Sequence, residues 1–377
     1  LLMLVGFIIL YLNHHDWAIG KRGIPEYSFG YLDILLAPIS ASKQLWVFFL
    51  VILGFAFKGP IFPFHTWLPG VMLKGPIAVG VLLSGVKLGS YGLLRFNLPF
   101  APQASEIAVP LMMALSLVGL LYGAFIALTH PNLMTMMAYA GISHLGFVTI
   151  GLFALNTTGI SGALLQMVNF GIVGAGMMFV LAFLMDRMDG SLAVADYGGV
   201  AKKAPVFASL SLVIVLASLA LPGTNVFVGE FMILVGAFQA HWIYAAIGVT
   251  AVIFTAAYML WMYERVMLGK AEKPKILEFR DLNPRETFIA SVMVVFIIWI
   301  GLYPAPLLTR MEPSVKLVVE RVEEGRMKMR AAARNQAVNP HAYFEIISDE
   351  EAAKLLKGSA SGGSTSGISG GIPRGIQ

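Results

Sequence analysis

Three ionisable residues stand alone inside long apolar runs: Lys58, Lys87 and Glu230. Lys58 closes the stretch Leu45 to Phe57, which carries no polar side chain, and Gly59-Pro60 follows it directly. His144, in Gly141-Ile142-Ser143-His144-Leu145-Gly146, is a fourth titratable group of this kind. Ionisable groups at membrane depth are costly and mark ion or proton routes. A desolvated ammonium tends to release its proton and a nearby carboxylate helps to hold it, so a change in their separation can load and unload a lysine. The chemistry on offer is charge movement across a membrane.

Each residue also has a plainer reading. A lysine near a helix end can reach the headgroups along its own methylene stem, an option for Lys58 and Lys87 and the preferred one for Lys74 in the loop Gly70–Gly75. Glu230 could form a purely structural ion pair, and His144 could be a packed, hydrogen-bonded side chain. Met134, Met136 and Met137 read as packing.

The composition supports a membrane setting. Of 377 residues, 58% are hydrophobic and 12% charged, against about 25% charged in soluble domains. Cysteine is absent, which excludes thiolate-bound iron–sulfur clusters, thiolate zinc sites and disulfides. The net charge of +5 resides in loops and tail, and no basic patch with interleaved aromatics suggests nucleic acid. Dinucleotide, P-loop and His-Glu-x-x-His patterns are missing, so no nicotinamide, flavin, nucleotide or catalytic metal is expected on this chain.

Apolar segments of spanning length occur at about 44–66, 76–96, 107–129, 133–154, 160–185, 242–266 and 287–307. The run 205–239 would reach about 52 Å as one helix, well beyond a hydrocarbon core of about 30 Å. Leu221-Pro222-Gly223-Thr224-Asn225 breaks it near its centre. Pro60 and Pro63 break the first span, leaving the carbonyls of Ala56 and Gly59 without helical partners. Such carbonyls must meet neighbouring helices or a hydrated cavity. Four intact spans separate the two broken ones, so they run in opposite directions, as an inverted repeat would place them. The apolar residues 1–12 are too short to span, which reads as a chain beginning inside a helix with an upstream portion missing; Asn13 to Lys43 reads as a polar linker. The expected architecture is an all-α integral membrane bundle with two discontinuous helices: about eight full spans and a partial first helix within 1–307, then a soluble tail over 308–377. In that tail Val315–Ala332 reads as an amphipathic helix and Ser359–Gly371, rich in Gly and Ser, as disordered. Lysines and arginines crowd the loops 186–203 and 269–285 and avoid 155–159 and 240–241. The positive-inside rule puts the former in the cytoplasm, and the span count puts the tail opposite.

Phe57-Lys58-Gly59-Pro60-Ile61-Phe62-Pro63-Phe64-His65-Thr66-Trp67-Leu68-Pro69 resembles the broken-helix signature of the antiporter-like subunits of proton-pumping NADH:quinone oxidoreductase, complex I. Lys87-Leu88-Gly89-Ser90-Tyr91-Gly92 is similar to the next helix of that family, and Ala138 to Phe147 and Leu221 to Phe231 continue the likeness. The ending Gly229-Glu230-Phe231 is similar to the M or chain 4 branch, the L and N branches carrying lysine there. By this resemblance the chain starts near the sixth of fourteen helices, and a carboxylate partnering Lys58 lies in the missing half. Lys58 would take up a proton on the input side, Lys87 and His144 would form the central relay, and Glu230 would be the exit group. The resemblance implies a non-redox subunit of a proton-translocating enzyme in the bacterial inner membrane or an equivalent energy-conserving membrane. Its partners would be neighbouring membrane subunits and lipid, with NADH, FMN, iron–sulfur clusters and quinone on other subunits. A sodium/proton antiporter or membrane-bound hydrogenase subunit, and a scaffold whose channel has decayed, are the alternatives. The chain departs from the family pattern at Gly70–Pro76, at Asn132–Thr135 and at Phe170, where the family has a second histidine. These changes remove relay points for protons.

Overall fold

The structure is a computed structural model that describes residues 1–23, 25–85 and 87–338. The Gly/Ser-rich stretch 359–371, and all of the expected tail beyond 338, lie outside the described residues. A first compact unit comprises Leu1–Arg326. Of the second unit, from Met327 onward, the described part is helical to Val338.

Helix α1, Leu2–Arg22, extends well beyond the twelve apolar residues and is long enough to cross a bilayer. The sequence reading of His14-His15-Asp16 as linker is therefore corrected. Polar groups on this helix are satisfied by the following loop: Asn13 Nδ2 donates to Pro38 O at 3.1 Å, and His14 Nδ1 lies 3.2 Å from Glu26 O. A helix whose buried polar side chains find such partners can continue. It stops at Gly23, whose φ of 70° closes a bond from its N–H to Ile19 O.

A short helix α2 (Tyr31–Leu36) leads into α3 (Ala41–Lys58), which breaks and resumes as α4 (Trp67–Lys74). The next span holds α5 (Ile77–Gly85), α6 (Leu88–Gly92), a π-helical turn Leu93–Asn97 and α7 (Leu98–Phe100). Then come α8 (Pro102–Thr129), α9 (Leu133–Phe153) and α10 (Thr157–Arg187). The second discontinuous helix is α11 (Pro205–Ser218) with α12 (Asn225–Ala240). The chain ends in α13 (Trp242–Met267), the short α14 (Pro274–Leu277), α15 (Pro284–Leu302) and α16 (Ala305–Val338). Eight helices among the described residues are long and apolar enough to span, not counting the α11–α12 pair. Both expected discontinuities are present.

Helix α9 is the axis, with 89% of its most apolar window buried. It packs on α8 through glycines that admit backbone contact: a Cβ on Gly123 would come within 2.8 Å of Tyr139 O, and one on Gly146 within 2.7 Å of Ser116 O. The broken pair α11–α12 runs along α10 in the same manner. A Cβ on Gly236 would sit 2.4 Å from Gly159 Cα, and further along Gly176 faces Ile214.

The loops rich in lysine and arginine gather at one end of the first unit. Leu133 N–H donates to Leu192 O at 2.9 Å and Gly199 N–H to Leu268 O at 2.7 Å. At the other end α16 meets the start of α8, where Arg326 holds Glu106 through two bonds of 3.0 and 2.9 Å. Arg187 secures the basic end. It donates to Arg280 O at 2.8 Å, Asp281 O at 3.2 Å and Phe183 O at 3.0 Å, and pairs with Glu286 at 2.5 Å. Asp281 in turn caps α11 through Val206 and Phe207 N–H, and Asn283 and Glu286 form a capping box on α15. The Arg187 and Glu286 side chains are only 11% and 13% exposed. Arg187→Ala is expected to cost about 3–5 kcal/mol, because it strands a mostly buried carboxylate. Thermal unfolding in detergent would show it, with Arg187→Lys recovering only part, since one ammonium cannot reach four acceptors. A loss below about 1 kcal/mol, the level of an exposed ion pair, would refute the assignment.

Candidate functional site

The first break is closed by protein donors. Ile61 N–H reaches Ala56 O at 3.0 Å, so that carbonyl is not orphaned as the sequence suggested, and the Trp67 indole donates to Phe57 O at 2.9 Å. Gly59 and Gly89 touch backbone to backbone, a Cβ on Gly89 coming 2.4 Å from Gly59 Cα. This contact brings the break of α3 against the segment that carries Lys87. The span 77–100, read as intact, is itself interrupted there: Lys87 has φ −88° and ψ 49°, outside the helical region, and α6 begins only at Leu88.

Lys58 and Lys87 line one cavity of about 140 Å³, with Gly59, Pro60, Trp67 and Gly141. Lys58 is exposed on the surface of this chain. Lys87 is half-buried and also lines a second, smaller cavity of about 40 Å³ with Ser84, His144, Phe170 and Ser218. Two pockets of this size that share Lys87 are large enough for single waters.

Phe170 contacts both halves of the site. Lys87 Nζ lies 5.8 Å from its ring centroid and the His144 ring 4.4 Å from it, and all three residues line the smaller cavity. Beyond it, His144 Nδ1 is 3.4 Å from Glu230 Oε1, with both side chains under one-tenth exposed. Gln166 Nε2 donates to the same carboxylate oxygen at 3.4 Å. Asn169 then links Gln166 Oε1, at 3.1 Å, to Asn225 O, at 2.7 Å, tying α10 to the first residue of α12. The imidazole and carboxylate are close but not aligned as a hydrogen bond, His144 Nδ1 having no hydrogen-bond partner among the described residues, and the amides hold the carboxylate without titrating. The four expected residues therefore lie in sequence through the protein: Lys58 and Lys87 on one cavity, Lys87 and His144 on the next, and His144 beside Glu230.

Sequence reasoning missed the amide network. Gln166 and Asn169 are both fully buried and three residues apart on an apolar helix, a spacing that puts them on one face. That signal was available. At the second break, residues 219–224 form a turn in which Ala220 has φ 58° and Gly223 φ 94°. Pro222 and Gly223 are exposed, and Ser218, one turn earlier, is the residue that reaches the cavity. Among the described residues no group of three or more His, Asp or Glu side chains is placed to hold a metal ion.

A family model described as NADH:quinone oxidoreductase/Mrp antiporter, transmembrane, matches residues 1–255, which include every member of this row. The chain belongs to that family. It is 38% identical over 294 residues to NADH-ubiquinone oxidoreductase chain 4 of Marchantia polymorpha, covering 77% of this chain and 59% of that one. To NADH-quinone oxidoreductase subunit M of Mycobacterium tuberculosis it is 39% identical over 302 residues, covering 77% and 54%. Among solved structures, a chain of respiratory complex I from Thermus thermophilus matches with a TM-score of 0.76 at 31% identity, covering 85% of this chain and 67% of that one. The chain thus spans little more than half the length of the curated relatives it matches. The M or chain 4 likeness, carried by Gly229-Glu230-Phe231, agrees with these relatives.

Proposed function

We propose that the chain is part of a proton-translocating membrane subunit of a respiratory NADH:quinone oxidoreductase, in an energy-conserving membrane such as the bacterial inner membrane. Lys58 passes protons to Lys87, Lys87 exchanges them with His144, and Glu230 releases them on the far side. Gln166 is a positioning residue for Glu230. Electron transfer, with NADH, FMN, iron–sulfur clusters and quinone, belongs to partner subunits, and neighbouring antiporter-like subunits are the direct partners in the membrane. The observation that carries this reading is the row from Lys58 to Glu230 through two small cavities, in a chain whose relatives are subunits M and chain 4. A cost of several kcal/mol for each isolated charge at membrane depth argues against a purely structural origin of the whole row.

The test is proton uptake by proteoliposomes holding the assembled complex, with NADH and a quinone supplied. NADH-driven acidification of the lumen that is indifferent to sodium supports the proposal. A proton flux that instead follows an imposed sodium gradient without NADH overturns it in favour of a cation antiporter.

A further inference from the structure

A groove of about 880 Å³ opens between α5, α10 and the start of α15, at the end of the bundle where the basic loops gather. Its wall is apolar, formed by Ile77, Val81, Phe179 and Phe183. Its rim is charged, and most of the charges are already matched: Glu286 is held by Arg187, and Asp189 pairs with Lys275 at 2.7 Å. Two opposite charges form no direct pair, although the Arg285 charge also acts on its neighbour Glu286. Asp186 and Arg285 are both exposed, both line the groove, and neither has an ion-pair or hydrogen-bond partner among the described residues, including each other.

We propose that this groove binds one molecule of phosphatidylethanolamine. The last turn of α10 and the first turn of α15 mark the depth at which an apolar wall gives way to charge, which is where a lipid headgroup sits. A zwitterion fits two unpaired, unbridged charges of opposite sign better than either a cation or an anion alone. The phosphate is taken by the Arg285 guanidinium, whose planar fork matches phosphate oxygens. The primary ammonium donates to the Asp186 carboxylate. The acyl chains lie against Ile77, Val81 and the two phenylalanines. Phosphatidylglycerol keeps the phosphate for Arg285 but offers Asp186 only neutral hydroxyls in place of a cation, and the trimethylammonium of phosphatidylcholine has no N–H to donate. Headgroup chemistry therefore sets the preference, while the apolar wall accepts any of the three.

The experiment is native mass spectrometry of the full chain in detergent, titrated separately with palmitoyl-oleoyl phosphatidylethanolamine, phosphatidylglycerol and phosphatidylcholine. One phosphatidylethanolamine should remain bound at a concentration about tenfold below that needed for the others. Asp186→Asn and Arg285→Gln should each abolish the preference, and Ala182→Trp, which fills the wall, should lower retention of all three lipids. Asp186→Lys should reverse the preference towards phosphatidylglycerol, a gain that a misfolded protein could not show. Equal retention of the three lipids by the unaltered chain overturns the proposal. So does a preference that survives both Asp186→Asn and Arg285→Gln.

Discussion

Glu230→Gln is expected to reduce proton translocation by the assembled complex at least about tenfold per electron transferred, with the helices left in place. Glutamine keeps the shape of the side chain and its capacity to bond Gln166, so the change removes the titratable group and little else. Glu230 is 4% exposed and His144 6%, so bulk water is not on hand to replace either as a proton carrier. A proton donor must come within hydrogen-bond reach of its acceptor, directly or through one water. Without Glu230, His144 loses the nearby carboxylate at 3.4 Å, which a small side-chain rotation would bring into hydrogen-bond alignment. Lys87→Ala should have a similar effect, because Lys87 is the residue common to both cavities. Phe170→His should act in the opposite direction. An imidazole beside both Lys87 and His144 would add a relay point where the present ring has none, and translocation should rise about twofold or more. The measurement is lumenal pH together with NADH oxidation in the same proteoliposomes. Unchanged proton-to-electron ratios in both Glu230→Gln and Lys87→Ala would refute the relay and favour a scaffold.

Gly236→Ala is expected to destabilise the chain by about 3 kcal/mol, a large effect for one methyl group, at the upper end of what overpacking costs. The added Cβ would lie 2.4 Å from Gly159 Cα and 2.5 Å from Gly159 N, so the obstacle is backbone and no rotamer change can relieve it. The two helices must part, and two bonds then weaken: Asn156 Nδ2 to Gly236 O at 2.7 Å, and the Asn156 cap on Gly159 N–H at 2.8 Å. Separation at this point also loosens the register that sets Gln166 against Glu230 two turns away. Gly70→Ala is the control, since nothing lies within 4 Å of the added atom. Thermal unfolding in detergent, followed by helical signal, reads both. If Gly236→Ala melts within about 1 kcal/mol of the control, the α10–α12 contact is not the close backbone approach described.

Much of this protein was legible in its sequence because lipid penalises polarity residue by residue. Long apolar runs, Pro60, Pro63 and Pro222-Gly223 as breaks, and Lys87, His144 and Glu230 as isolated ionisable groups all follow from what each residue costs alone in hydrocarbon. The crowding of arginine and lysine into 186–203 and 269–285 belongs to the same class of information, and the structure gathers both loops at one end. Where the reading failed, a residue's cost was altered by partners distant in the chain. Asn13 and His14 looked too polar to continue a helix until Pro38 O and Glu26 O received them.

By itself, then, the sequence determined that this is a polytopic helical membrane protein of the antiporter-like kind, with two of its helix breaks and with four ionisable groups, Lys58, Lys87, His144 and Glu230, set in or beside its apolar runs. The tertiary structure alone decided how those groups connect. Hydropathy measures one residue against its solvent, whereas the separation of His144 from Glu230 depends on which faces of α9, α10 and α12 meet. Glycine contacts such as Gly59 with Gly89 and Gly236 with Gly159 set those faces to backbone distance. They bring Lys87, His144 and Phe170 to one cavity, and that placement is a property of pairs of helices, which no single position in the chain encodes.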